Sequence, residues 1–212
     1  MEVLKVQLAR TIWLFDIQEL NPKGISLYPE IYAGIGKHYQ FAMLPKAEEI
    51  HSGGSLYFKH GKFLYDGSLI VEVDFDLHGD GLVASCRHST EAAHEFLLDF
   101  TAWLGEQLGI AYPPHLTKKR LYRSELIVQM EPMLNTLSQK AEEFSRLLSE
   151  LCQKEIQPSG ILFGEDHGTN AVLTVDRRGS TPWEENRYFS SSTLATTQHV
   201  EALAKFEQIV GG

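Results

Sequence analysis

Two hydrophobic periods alternate along this chain, one of two residues and one of three to four, and the changes between them mark its elements. Val3 to Ile17 is dense in valine, leucine, isoleucine and aromatics, the composition of a long strand or hairpin arm. Asn21-Pro22-Lys23-Gly24 marks a turn. Pro29 to Tyr39 suits a short helix with Pro29 at its first position, weakened by Gly34 and Gly36, and Tyr39 to Leu44 reads as a strand ended by Pro45.

The segment from His51 to Ser89 carries the clearest pattern. Ser52-Gly53-Gly54, His60-Gly61, Asp66-Gly67 and His78-Gly79-Asp80-Gly81 punctuate it. Between them Ser55–Lys59, Lys62–Tyr65, Ser68–His78 and Leu82–Arg87 read as strands. Glycine turns at this spacing predict an antiparallel meander. In the third strand Leu69, Val71, Val73, Phe75 and Leu77 alternate strictly with Ile70, Glu72, Asp74, Asp76 and His78. Successive side chains of a strand point to opposite faces, so one face is buried and the other is largely polar and acidic.

The period then changes. Ala93, Phe96, Leu97, Phe100, Leu104 and Leu108 recur at helical spacing, with Ser89 or Thr90 as cap, Glu91 in the first turn and Gly109 as the stop. Such an apolar face would lie on the meander. Tyr112-Pro113-Pro114 is the one linker-like stretch. Arg120 to Met130 predicts a strand, and Pro132 opens the longest expected helix, to about Lys154. Its Leu134, Leu137, Ala141, Phe144, Leu148 and Leu151 alternate by three and four, a coiled-coil-like seam suited to packing within the chain or to pairing with a second subunit. Ile161–Phe163 and Asn170–Asp176 predict a hairpin, and Gly179–Ser192 a polar loop or irregular strand. A last helix runs from about Thr197 to Val210, with Val200, Leu203, Phe206 and Ile209 or Val210 inward. No β-α-β-α rhythm emerges. The expected class is α+β, a mainly antiparallel meander sheet packed by about three amphipathic helices. A single domain over residues 1–212 is expected, any subdivision falling near residues 113–117.

Composition narrows the function. With 212 residues, 43% of them hydrophobic, the chain is long enough to bury roughly 70% of its unfolded surface without disulfide staples. Lys plus Arg is 19 and Asp plus Glu is 28, a net charge of −9, which repels phosphate and argues against direct nucleic-acid binding. The basic run Lys118, Lys119, Arg120 and Arg123 then reads as a solvated strand start. No apolar run reaches the roughly 18 residues of a membrane span, and Met1-Glu2-Val3-Leu4-Lys5 has no signal-peptide pattern, so a cytoplasmic protein without membrane contact is expected. Cys86 and Cys152 lack C-x-x-C spacing, which excludes a zinc ribbon, a thioredoxin motif and a disulfide-dense scaffold. Gly211-Gly212 suits a frayed helix end better than a conjugation tail.

Three clusters could carry chemistry. Asp74, Asp76 and His78 recur two apart on one strand face, about 7 Å between successive α-carbons, a spacing that could hold a divalent metal with open positions for water. An EF-hand loop is rejected, because its last position, which needs glutamate, is Ser85. Glu165-Asp166-His167 in a hairpin loop could add a ligand or an acid/base pair. Arg177, Arg178 and Arg187, around Trp183 and beside Ser190-Ser191-Ser192, could clamp a small anion. No P-loop, dinucleotide fingerprint, G-x-S-x-G or papain-like signature occurs; Ser85-Cys86-Arg87-His88 sets a thiol two residues from an imidazole, on one face of a strand, and a triad there would depend on the fold.

These observations favour a non-enzymatic protein–protein interaction module, a subunit, adaptor or inhibitor of a larger assembly. It would use the acidic face Glu72, Asp74 and Asp76 and the helix face Leu134, Leu137, Phe144 and Leu148. The expected partner is a protein, basic where it meets the acidic face, or a second copy through helix 132–154. No cofactor is expected in that case. The first alternative is a metal-dependent hydrolase using Asp74, Asp76 and His78 with His167. The second is a small-anion or nucleotide sensor using Arg177, Arg178 and Arg187.

Overall fold

The computed structural model describes residues 1–20, 28–46, 55–131, 139–165 and 171–211. Asn21–Gly24, Leu134, Leu137, Asp166 and His167 lie outside these residues. The described elements are β1 (Glu2–Leu14), α1 (Tyr28–His38), β2 (Leu56–Tyr65), β3 (Leu69–His78), β4 (Gly81–Cys86), α2 (Thr90–Leu108), β5 (Lys119–Gln129), α3 (Gln139–Cys152), β6 (Gly160–Gly164), β7 (Ala171–Arg177), β8 (Arg187–Ser192) and α4 (Thr196–Gly211). The fold is α+β, as expected, with four α-helices among the described residues rather than about three. The strands hydrogen-bond in the order β2-β3-β4-β1-β5-β8-β7-β6, and the ladders β1–β4, β2–β3, β3–β4, β5–β8, β6–β7 and β7–β8 are antiparallel. No described helix is long and apolar enough to cross a membrane. The chain packs as two compact units, one of Leu8–Arg123 and one of Met1–Gln7 with Ser124–Gly212.

In the unit Leu8–Arg123 the middle of the apolar row of β3 behaves as its alternation dictates, with Val71, Val73 and Phe75 buried, whereas Leu77 is half-buried and Leu69, at the strand's start, is exposed. Helix α2 supplies the opposing rings. Its Ser89 hydroxyl accepts the Ala92 N–H at 3.0 Å, and Gly109 closes it by donating to Gly105 O. This places Ala93, Phe96, Leu97, Phe100 and Leu104 on one buried stripe. Gly34 lets α1 approach that stripe, since a Cβ there would lie 3.0 Å from the Trp103 ring.

Two expected features of this unit do not form. Tyr39–Leu44 is not a strand: α1 ends with Tyr39 N–H donating to Ile35 O and Phe41 N–H to Gly36 O, and Gln40 between them has a φ of 51°. This closure turns Phe41 into the core and leaves only one bridge, Met43 to Lys59. His60-Gly61 is not a turn but a bulge within β2: pairing steps from Phe58↔Phe75 to Gly61↔Val73, so Lys59 and His60 stand opposite Asp74 alone.

The second unit has its own core, built from Leu126, Val128 and Met130 of β5, Leu173 and Val175 of β7, Tyr188 of β8 and Leu203 of α4. Of the polar loop or irregular strand expected over Gly179–Ser192, the part Arg187–Ser192 forms a regular strand, β8. It pairs on both sides, and Tyr188, Ser190 and Ser192 face inward. Its alternation is regular, but serine carries most of it. The buried hydroxyls are satisfied: Ser190 donates to Thr174 O at 2.6 Å and Ser192 to Val172 O at 2.8 Å. Helix α3 stops at Cys152 rather than near Lys154, because Gln153 has a φ of 51° and Lys154 N–H donates back to Ser149 O. In α4, Leu203 is buried and Val200 and Phe206 pack against the core, whereas Ile209 points outward.

Gly81 follows the tight turn after β3 with a φ of +153°, and a Cβ there would lie 2.0 Å from Trp13 O. Gly67, with a φ of +64°, faces open space. Gly81→Ala is therefore expected to cost more than about 3 kcal/mol and Gly67→Ala only about 1 kcal/mol, measured by urea unfolding. Equal losses would contradict this packing of β4 on β1.

Candidate interaction surface

Helix α3 is amphipathic, but its apolar side is only half covered. At 3.6 residues per turn, Ala141, Ser145, Leu148 and Ser149 share one arc and Phe144, Leu147 and Leu151 the next. The first arc is the covered one: Ser145 is 8% exposed, and Ala141, Leu148 and Ser149 are half-buried. Ser149 Oγ also accepts the Ile156 N–H at 2.9 Å, which ties the chain after the helix back onto this arc. The second arc faces outward, with Phe144, Leu147 and Leu151 at 59%, 49% and 73% exposure. Glu143 and Glu150 are exposed along its outer border. The structure thus divides the expected seam. Phe144 and Leu151 lie on the open stripe with Leu147, which the heptad pattern omits, while Leu148 lies on the covered side.

The acidic face of β3 is largely satisfied within the molecule. The bulge in β2 brings Lys59 Nζ to 2.9 Å from Asp76 Oδ1 and 3.5 Å from Asp74 Oδ2. Asp74 also accepts the His60 N–H at 2.9 Å, and Glu72 meets His60 Nδ1 at 3.0 Å. Asp76, expected on a solvated face, is buried beneath this lysine. His78 turns to a different partner, Ser55 Oγ, at 2.6 Å. Among the described residues no three histidine, cysteine or acidic groups converge as a metal would require. An ion between Asp74 and Asp76 would have to displace the Lys59 ammonium.

Of the three arginines, Arg178 and Arg187 stand opposite one another beyond the last β7–β8 pair, while Arg177 faces Tyr188. The Arg177 guanidinium donates to Thr181 O, and Arg187 Nε lies 3.1 Å from Glu185 Oε2. Arg178 donates its backbone N–H to Arg187 O. Within the serine run, Ser190 and Ser192 serve the core rather than an anion. In the basic run, Arg120 lies over the Trp13 ring at 5.1 Å, and Lys118 is 3.9 Å from Glu19. Both cysteines are free thiols. Cys86 donates to Ser89 O at 3.3 Å, and burial pushes its pKa up, the opposite of an activated nucleophile.

One buried polar pair escaped the sequence pattern. Ser190 Oγ, whose own proton goes to Thr174 O, accepts from His199 Nε2 at 2.8 Å. His199 is wholly buried, and its Nδ1 has no hydrogen-bond partner among the described residues. No protein-family model matches this chain, and no curated protein matches it in sequence.

Two predictions follow from this geometry. Burial pushes the His199 pKa down to about 4 from the ordinary value near 6.5. The unfolded chain takes up its proton first, so the stability contributed is full above about pH 6.5 and is lost as pH falls through about 4. The loss is about 3 kcal/mol. His199→Gln should flatten that limb in urea unfolding at neutral and acidic pH; an unchanged acid loss would assign it to other groups. For the acidic face, Mn²⁺ should leave the melting temperature of the unaltered chain unmoved and raise that of Lys59→Ala, which opens Asp74 and Asp76. A rise in the unaltered chain would show that metal displaces the lysine.

Proposed function

We propose that this chain is a non-catalytic interaction module that receives a basic, amphipathic segment of a partner protein on helix α3. One observation carries this reading: Phe144, Leu147 and Leu151 line up at i, i+3 and i+7 on the exposed side of a folded helix. An apolar stripe of this spacing fits the side chains of a second helix. The partner's charge follows from the border. Glu143 and Glu150 flank the stripe, and the chain as a whole carries −9, so lysine or arginine beside the partner's apolar anchors is favoured. The acidic face of β3 supports the reading less, because Lys59 already neutralises part of it.

The test uses a synthetic helical peptide with leucine at heptad spacing and lysine on its flanks, beside the same peptide with glutamate flanks. The lysine peptide should bind, with affinity falling as salt rises, and the glutamate peptide should not. Phe144→Ala with Leu151→Ala should weaken binding by about tenfold or more. Because both side chains are exposed, the melting temperature should stay within about 2 °C. Equal binding of the two peptides, or binding that the double variant leaves intact, would remove the stripe from the argument.

A further inference from the structure

The two end strands of the sheet are treated differently. On the outer side of β2, Met43 and Lys59 exchange both backbone hydrogen bonds, at 3.2 and 3.0 Å, and Lys62 N–H reaches Tyr39 O at 2.7 Å. The bulge at His60 interrupts what is left of that edge. Strand β6, among the described residues, pairs with β7 alone. Its sequence Gly160-Ile161-Leu162-Phe163-Gly164 holds no charge and no proline, the devices that usually blunt an edge.

The ladder fixes which groups face outward. Arg177 N–H donates to Ser159 O at 2.6 Å, so Ser159 and Arg177 form a hydrogen-bonded pair. Such pairs alternate along an antiparallel ladder, which makes Ile161/Val175 and Phe163/Leu173 the next two. Gly160 and Leu162 therefore turn their N–H and C=O groups to the open side. Ile161 and Phe163 lie toward α4, where the Phe163 ring is 6.2 Å from Phe206 and both border an open apolar groove of about 500 Å³. Leu162, on the other face, is 68% exposed.

We propose that β6 pairs with β6 of a second copy of this chain, antiparallel about a two-fold axis at Leu162. The segment is nearly self-complementary about that residue: glycine, three apolar side chains, glycine. This register sets the outward N–H and C=O of Leu162 against those of its counterpart, giving two hydrogen bonds on the axis. Gly160 faces Gly164 of the other copy, where no side chains collide. Ile161 lies beside the other copy's phenylalanine, so each groove gains a ring. No charged side chain lies on either strand to repel across the axis. A one-residue slip would bring groups already bonded to β7 to the seam. The pairing uses neither the α3 stripe nor its glutamates.

Sedimentation equilibrium of the full chain tests this across concentration and salt. The mass should rise from 23.9 kDa to twice that value. Added salt should strengthen the dimer by screening −9 on each copy, the reverse of its effect on a basic peptide at α3. Leu162→Pro should stay at the mass of one chain. Its lost N–H faces the open side, so the β6–β7 ladder keeps its bonds. Where that variant fails to fold, Leu162→Lys, which sets two ammonium groups at the axis, should give the same result. Hydrogen exchange supplies a second readout: the Leu162 amide should gain protection with concentration, and the Ile161 amide should be protected throughout. A single-chain mass up to millimolar concentration overturns the proposal. So does a dimer that folded Leu162→Pro leaves intact, or one lost instead in Phe144→Ala with Leu151→Ala.

Discussion

Phe75 meets three rings at once, with centroids 5.7 Å from Phe58, 5.6 Å from Phe96 and 4.7 Å from Phe100. The rest of the unit Leu8–Arg123 depends on that insertion. Each ring pair adds about 0.5–1.5 kcal/mol beyond the area it buries. The backbone is held to match, since Phe75 stands opposite Phe58 on one side and Ala84 on the other. Ala84 leaves room that a larger residue would fill. Slipping β3 by one residue would push Asp74 or Asp76 among the rings, where a carboxylate without a counter-charge is far costlier than any lost contact.

That register has an electrostatic consequence. It lines Glu72, Asp74 and Asp76 along the opposite face, where like charges disfavour one another. The bulge answers this by placing two β2 residues against one β3 residue, which gives Lys59 reach to both Asp74 and Asp76 and lets the His60 amide cap Asp74. The same irregularity ends the regular edge of β2. One inserted residue thus neutralises an acidic row and closes an edge, and it explains why this face offers less to a partner than its sequence suggests.

Burial carried by apolar side chains was legible in β3 and in α2 with its serine cap, and the pairing of β6 with β7 was legible from two short apolar runs about a glycine-bearing connection. The failures have separate physical causes. In β8 the inward positions are serine, and only the backbone carbonyls Thr174 O and Val172 O, remote in sequence, make them cheap to bury. In β2 a histidine at positive φ extends a strand where a turn is the better local choice. At Tyr39–Leu44 a left-handed Gln40 closes a helix, and such a closure usually announces itself with glycine or asparagine. For the candidate site, the seam of α3 was legible as a pattern, but which arc is covered depends on the rest of the fold. Leu147, Glu143 and Glu150 therefore could not be singled out, nor could Lys59 be matched to its two aspartates across the bulge.

Exposed leucines are common on protein surfaces and carry no argument singly. In the unit of Met1–Gln7 with Ser124–Gly212 the buried core is made by other residues than the exposed apolar ones on α3 and β6. Leu126, Val128, Val175 and Leu203 are wholly buried, and the two serines of β8 are satisfied. Phe144, Leu147, Leu151 and Leu162 are not part of that core. Lysine or glutamate at the helix positions would serve an isolated helix as well and keep water on a polar surface. The apolar groups are instead ordered, at helical spacing on α3 and, on β6, beside backbone groups without a partner among the described residues. Helical spacing calls for a second helix and an open row of N–H and C=O groups for a second strand, so the two surfaces select different kinds of partner by their geometry alone.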